Sequence, residues 1–226
     1  MAGEKIQIHF HGQAGSGKDT QAAILRDLLL KSGLSVRTDI FSTGDLVRGS
    51  TKPGNEYYVY HGDIAPHLAN SSNGGLVPDE VIVRLSKIEF LRRYKEGADV
   101  ILGTGIPRTV YQLEEMDKFT LELEREGYLV SPRHICLDVT EDIARNRAAF
   151  RRAEAARLGT EPRRDDLESV VENRLAAFAE HTKPMLDNMR PGRLMRVDGV
   201  GTIEEVTRRV LTVLAITPNT EVVARN

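Results

Sequence analysis

Between an apolar run, Lys5 to Phe10, and a stretch of helical period, the chain reads Gly12-Gln-Ala-Gly15-Ser16-Gly17-Lys18. Strand, glycine-rich loop and helix in that order form a hollow suited to a polyanion. The glycines let the backbone come close, successive N–H groups converge, and the helix adds the positive end of its dipole. This is the pattern of a P-loop, and it points to a nucleoside triphosphate. Lys18 is then expected to neutralise the β- and γ-phosphates, with Gly12, Gly15, Ser16, Gly17 and Thr20 in the cradle around them. A ligand-free glycine turn is the plainer alternative, and the flanking strand and helix argue against it. One position departs from the pattern: Asp19 follows the lysine where Ser or Thr usually offers a hydroxyl to Mg²⁺, and Thr20 comes one residue later.

A chain of 226 residues, 40% hydrophobic, can bury a sizeable core in one main domain with small inserted lobes. A formal charge of −2 and a pI near 6.3 argue against a general nucleic-acid or membrane-surface binder. No apolar run approaches the length of a membrane span, and Met1 to Phe10 has no apolar signal core. The single cysteine, Cys136, cannot form an internal disulfide or a cysteine-rich metal site, which points to a reducing cytoplasm. It lies in an apolar run, His134 to Val139, and is expected to be a small core residue. The six histidines show no ligand spacing.

Apolar runs at Ile6 to Phe10, Ser35 to Ile40, Val100 to Leu102, Ile135 to Val139 and Leu194 to Val197 alternate with segments of helical period. That alternation predicts βαβ units and a five-stranded parallel sheet. Ile24, Leu25, Leu28 and Leu29 make one helical stripe; Ile203, Val206, Val210 and Val213 make another behind a Thr202-x-x-Glu205 capping box. Ser42 to Asp79 is longer than a plain crossover and carries Gly and Asn clusters, so it reads as an inserted helical lobe. Arg151 to Arg164, rich in arginine and alanine and containing Gly159 and Pro162, reads as an irregular flap. Residues 217–226 read as a solvated tail.

Eight arginines lie between Arg145 and Arg174, positive charge able to grip a polyanion, or equally a solvated helix face. Arg174 falls on the apolar spacing Leu167, Val170, Val171, Leu175, Phe178, where an inward guanidinium needs an anion. A ligand-facing role is expected in preference to an internal ion pair. Asp165 with Glu168 fits a capping pair at the start of that helix.

Beside Gly12 to Gln21, the segments Ser42-Thr-Gly-Asp-Leu-Val-Arg48, Gly75-Leu-Val-Pro-Asp-Glu80, Gly105-Ile-Pro-Arg-Thr-Val-Tyr-Gln112 and Arg163-Arg-Asp-Asp166 follow in order. In this the chain resembles the adenylate kinases, over roughly Ile6 to Leu214. The resemblance implies an α/β, three-layer P-loop fold whose core is formed by residues 1–41, 80–146 and 167–216. It also implies a nucleotide-monophosphate lobe at 42–79 and a short lid at 147–166 without zinc-binding cysteines. Thr43, Val77 and Gln112 would stand around the acceptor base, Gln112 favouring AMP, with Arg48 and Arg108 on its phosphate. Taken singly, Thr43 could instead cap a helix beginning at Gly44, and Gln112 could be a solvated helix residue. Arg147, Arg151, Arg163 and Arg174 match the arginines that close on ATP and the transferring phosphate, with Arg152 as the alternative to Arg151. The lid is several residues longer than the short form, around Glu154 to Thr160, and Pro162 replaces a glycine.

Two further departures concern the metal. Where the family has Asp-Gly-Phe-Pro-Arg, this chain has Thr104-Gly-Ile-Pro-Arg108, and where the family has glycine it has Asp19. A carboxylate beside triphosphate is repelled unless a divalent cation stands between them, so Asp19 is expected to orient Mg²⁺ through water in place of the carboxylate lost at Thr104. Capping of the P-loop helix by Asp19 is the alternative. The resemblance thus implies a cytoplasmic, monomeric phosphotransferase that uses ATP and Mg²⁺ to phosphorylate AMP. CMP, UMP or dAMP are alternative acceptors, and a catalytically weak ATP-binding regulator is the alternative from another functional class.

Overall fold

The computed structural model describes residues 4–32 and 36–216. Five parallel strands, β1 (Lys5–His11), β2 (Thr38–Ser42), β3 (Val100–Thr104), β4 (Val130–Asp138) and β5 (Leu194–Asp198), form one sheet in the order β2-β3-β1-β4-β5. Helices cover both faces, as an all-parallel sheet requires. Two strands differ from expectation. β2 runs to Ser42, two residues past its apolar run, whose first residue, Ser35, lies outside the described residues. β4 begins at Val130, before its apolar run, because Lys5 to His11 supply a full-length partner for it.

On one face, α1 (Lys18–Lys31) and α10 (Ile203–Val213) pack Ala22, Leu25, Val206, Val210 and Leu211 onto Ile8 and Phe10 of β1. Thr202 and Glu205 close the expected capping box at the start of α10. On the other face lie α5 (Asp79–Lys95) and α6 (Val110–Arg125), whose Leu85, Phe90, Met116 and Phe119 bury against Ile101 and Phe41. Between β2 and α5 the chain forms α2 (Thr43–Gly49), then short helical turns that include α3 (His61–Ile64) and α4 (Leu68–Ser72). The expected insertion is therefore largely helical, with turns at 51–55 and irregular backbone at 73–78. α7 (Glu141–Arg157), α8 (Glu168–Ala177) and α9 (Lys183–Asp187) complete the fold. The first half of the supposed flap at Arg151 to Arg164 is helix, since α7 continues to Arg157; alanines at 153, 155 and 156 favour helix, and 158–163 are irregular.

Because β1 is central, its second set of alternate side chains is buried as well. Gln7, His9 and His11 form a polar column: His9 Nε2 lies 3.1 Å from Gln7 Oε1, and His11 Nε2 meets His134 Nδ1 at 2.9 Å. The His9 and His134 rings stack at 4.9 Å. Burial, the largest cause, drives His9 down to about 4 and His11 to about 3, and holds His134 well below the ordinary range. Cys136 is buried as expected, its thiol pushed up to about 12 chiefly by burial. No helix among the described residues is long and apolar enough to cross a membrane. The expected tail, 217–226, lies outside the described residues.

Candidate active site

The C-terminal ends of β1, β2 and β3 open into a cleft beside β1, where the strand order reverses, the usual position for a ligand in an open parallel sheet. The loop from β1 to α1 is shaped by glycine at two tight points. Gly12 has φ +137°, and a Cβ there would stand 2.5 Å from Ser16 Oγ and 2.8 Å from the Leu137 carbonyl. At Gly15, φ +80°, α7 approaches so closely that a Cβ would meet the Ala144 carbonyl at 3.2 Å. Gln13 anchors the loop to the Val139 carbonyl (2.8 Å), and Ser16 N–H donates to Gln13 O (3.1 Å). Gly15, Ser16, Gly17, Lys18, Asp19 and Thr20 line the main cavity, whereas Gly12 lines a smaller separate cavity and sets the loop's shape. Arg147 braces the loop, donating to Gly15 O at 2.9 Å and Gly199 O at 2.9 Å, and reaches the same cavity.

The cavity concentrates positive charge. Lys18 is pulled down to about 8, first by burial and then by Arg174 and Arg108, with Asp19 and Asp165 opposing. Arg108 is likewise lowered, to about 10, by burial and Arg174. A phosphate between these groups relieves both desolvation and mutual repulsion. Arg108 Nε donates to Gly105 O at 2.9 Å, and the Thr43 hydroxyl donates to the same carbonyl at 3.0 Å.

A second cavity, lined by Thr43, Val47, Leu68, Val77, Ile82 and Gln112, adjoins the first. The two share Gly44, Arg48, Gly105, Arg108, Asp165 and Arg174 as a common wall. The alternatives set out for Thr43 and Gln112 do not hold. Ser42, not Thr43, caps α2, accepting from Asp45 N–H at 3.2 Å. Gln112 is buried: its Oε1 accepts from Arg108 N–H (2.7 Å), and its Nε2 donates to Asp79 (2.8 Å).

The segment after α7 differs most from the sequence reading. Leu167, not Asp165, is the N-cap of α8, and it has no side-chain cap. The two aspartates are taken up by arginines instead. Asp166 is buried and receives Arg151 through Nε (3.0 Å) and Nη2 (2.5 Å), while Arg152 donates to its backbone carbonyl. Asp165 Oδ2 lies 3.4–3.5 Å from Arg48, Arg163 and Arg174. Arg174 thus has the internal partner that its spacing left as the lesser alternative, yet it also borders both cavities. Arg151, rather than Arg152, lines the main cavity.

Sequence reasoning read Thr202 and Ile203 only as helix-forming residues and assigned neither them nor Gly199 and Gly201 to the site, yet all four line the main cavity. Two glycines between a strand and a capping box were the available signal. It also passed over Arg164, which donates to Ser72 O (3.1 Å) and Asn73 Oδ1 (3.2 Å) across the second cavity.

No family model matches the chain. It is similar to curated proteins along nearly its whole length. The adenylate kinase of Deinococcus radiodurans is 34% identical over 210 residues, 90% of this chain and 94% of that protein. The adenylate kinases of Synechococcus sp. (strain CC9311) and Nocardia farcinica are 32% and 31% identical and are covered over 100% and 99% of their lengths. The parallel sheet, the glycine-shaped loop and these likenesses together make the chain a phosphotransferase of the adenylate kinase family.

Proposed function

We propose that this chain transfers the γ-phosphoryl group of ATP to AMP, giving two ADP, with the triphosphate in the main cavity and the monophosphate in the second. The observation that carries this reading is the shared wall: two cavities joined at Arg48, Arg108 and Arg174 suit two nucleotides meeting through their phosphates. Phosphoryl transfer rests on in-line positioning and on neutralising the equatorial oxygens, and Lys18 with these arginines supplies both without a covalent intermediate. Residues 42–79 act as the monophosphate lobe and 147–166 as a lid on a core of 1–41, 80–146 and 167–216. Arg147 attends ATP, and Arg151, Arg163 and Arg174 attend the transferring phosphate. Thr43, Val77 and Gln112 border the acceptor base, with Gln112 also fixing the Arg108 backbone. The protein acts as a monomer on small nucleotides.

Mg²⁺ fits the donors present. A hard cation takes oxygen ligands and keeps several waters, and the main cavity offers the Asp19 carboxylate with the buried Thr104 hydroxyl beside it. The described residues contain no group of three or more His, Cys, Asp or Glu able to hold a metal, so the ion enters with the nucleotide. When bound it neutralises phosphate oxygens, while Lys18 and the arginines orient and desolvate the reacting groups.

Product analysis after mixing the protein with ATP, Mg²⁺ and AMP, CMP, UMP or dAMP in turn tests the proposal. Two diphosphates with AMP, and far less product with the others, is the expected result. Tight ATP binding with no diphosphate from any acceptor would contradict it and favour the regulatory reading.

A further inference from the structure

Three carboxylates border the main cavity, and the protein has committed two of them. Asp166 is gripped by Arg151, and Asp165 is surrounded by Arg48, Arg163 and Arg174. Asp19 has only a loose pairing with Lys18, at 3.8 Å, and its side chain is 70% exposed to the cleft. Capping does not account for it, since the N-cap of α1 is Gly17 and no side chain caps that helix. Across from it at the end of β3, Thr104 is 2% exposed, and its hydroxyl faces the Asp19 carboxylate with no hydrogen bond to any other described residue. Burial works to raise the Asp19 pKa, but Lys18 and then hydrogen bonding from the Thr104 side chain outweigh it and hold the carboxyl below its ordinary value.

We infer that Asp19 and the Thr104 hydroxyl together orient the water shell of the divalent cation that accompanies ATP, so that the metal-directing carboxylate of this enzyme comes from the first turn of α1. The inference rests on the nucleotide assignment above. Two physical points favour it. A carboxylate only loosely paired on the wall of a triphosphate cavity repels the ligand unless a cation intervenes. A hydroxyl beside that carboxylate that can both donate and accept suits a metal-bound water, which donates outward and is itself oriented by its neighbours.

The test uses Mn²⁺ as the probe, with the protein saturated by a non-hydrolysable ATP analogue, and follows free Mn²⁺ by electron paramagnetic resonance. Calorimetry of the same analogue in EDTA runs beside it. Asp19→Asn should weaken Mn²⁺ in the ternary complex on the order of tenfold, the effect of one charge acting through a water layer. It should also tighten the metal-free analogue severalfold. Asp19→Gly combined with Thr104→Asp should restore Mn²⁺ affinity, which a merely structural Asp19 would not allow. Should Asp19→Asn fold poorly, Asp19→Gly serves as the single variant. Unchanged Mn²⁺ affinity in a folded Asp19 variant overturns the inference while leaving the nucleotide site intact. Failure of the analogue to bind the unaltered protein at all would overturn the site assignment, and the inference with it.

Discussion

Arg164 donates to the side chain of Asn73 at 3.2 Å, and so ties the turn that precedes α8 to the end of α4. Its Nε reaches the Ser72 carbonyl at 3.1 Å, and Asn173 adds a third bond to the Asn73 carbonyl at 2.8 Å. The tie closes over the second cavity. Arg164→Ala is expected to raise KM for the monophosphate about three- to tenfold, the worth of one or two partly exposed hydrogen bonds. Turnover at saturation should change little. Steady-state kinetics at varied AMP check this; a fall in kcat with KM unchanged would contradict it.

Lys18 is buried in a wall of like charge, which opposes folding rather than supporting it. Lys18→Ala should therefore cut turnover by about a thousandfold or more, the scale on which a phosphate-neutralising cation acts, while Tm holds or rises. Thermal unfolding and coupled-assay kinetics on one preparation separate the two effects. Normal turnover in a folded variant would remove the assignment.

Arg151 is a structural test as well as a chemical one. Removing its guanidinium strands the buried Asp166 carboxylate, and a stranded buried charge costs about 3–5 kcal/mol. Arg151→Ala should lose stability of that order in urea melts. The double variant Arg151→Ala, Asp166→Asn should recover much of it yet remain slow in catalysis. Equal loss in single and double variants would show that the pair does not act as a unit.

The His9, His11 and His134 column predicts acid sensitivity. Each has a folded pKa below its unfolded value near 6.5, so the unfolded chain binds more protons as pH falls. Stability is complete above about pH 6.5 and declines below it, by about 1.4 kcal/mol per pH unit for each histidine until its folded value is approached. Arg193, Lys18 and Arg108 deepen the depression, and Asp117 opposes it at His9. Denaturant melts between pH 7 and 5 should show a steep loss, and a variant with His134→Gln a shallower one. A flat profile would count against the buried neutral state.

What the sequence made visible was local. Gly12 to Lys18 and the Thr202–Glu205 box each encode their geometry within a few residues, and both folded as read. The misreadings were of tertiary origin. Asp165 carries a capping signature with Glu168, but Arg48 from α2 and Arg174 from within α8 take up its carboxylate, and their charge outweighs a local cap. Gln7, His9 and His11 have the alternation of a half-solvated strand and are buried because β1 lies at the centre of the sheet. Gly159 and Pro162 do break the chain, but only after the alanines before them have carried α7 to Arg157.

One oxygen, Asp165 Oδ2, faces three guanidinium groups drawn from α2, the turn before α8, and α8 itself. It serves as a resident counterion. Arginines that would otherwise repel and splay are held together around it, so under the proposed site assignment an incoming phosphate would exchange partners with them instead of gathering them. The entropy of assembling the grip is spent during folding, leaving each catalytic cycle only the cost of the exchange.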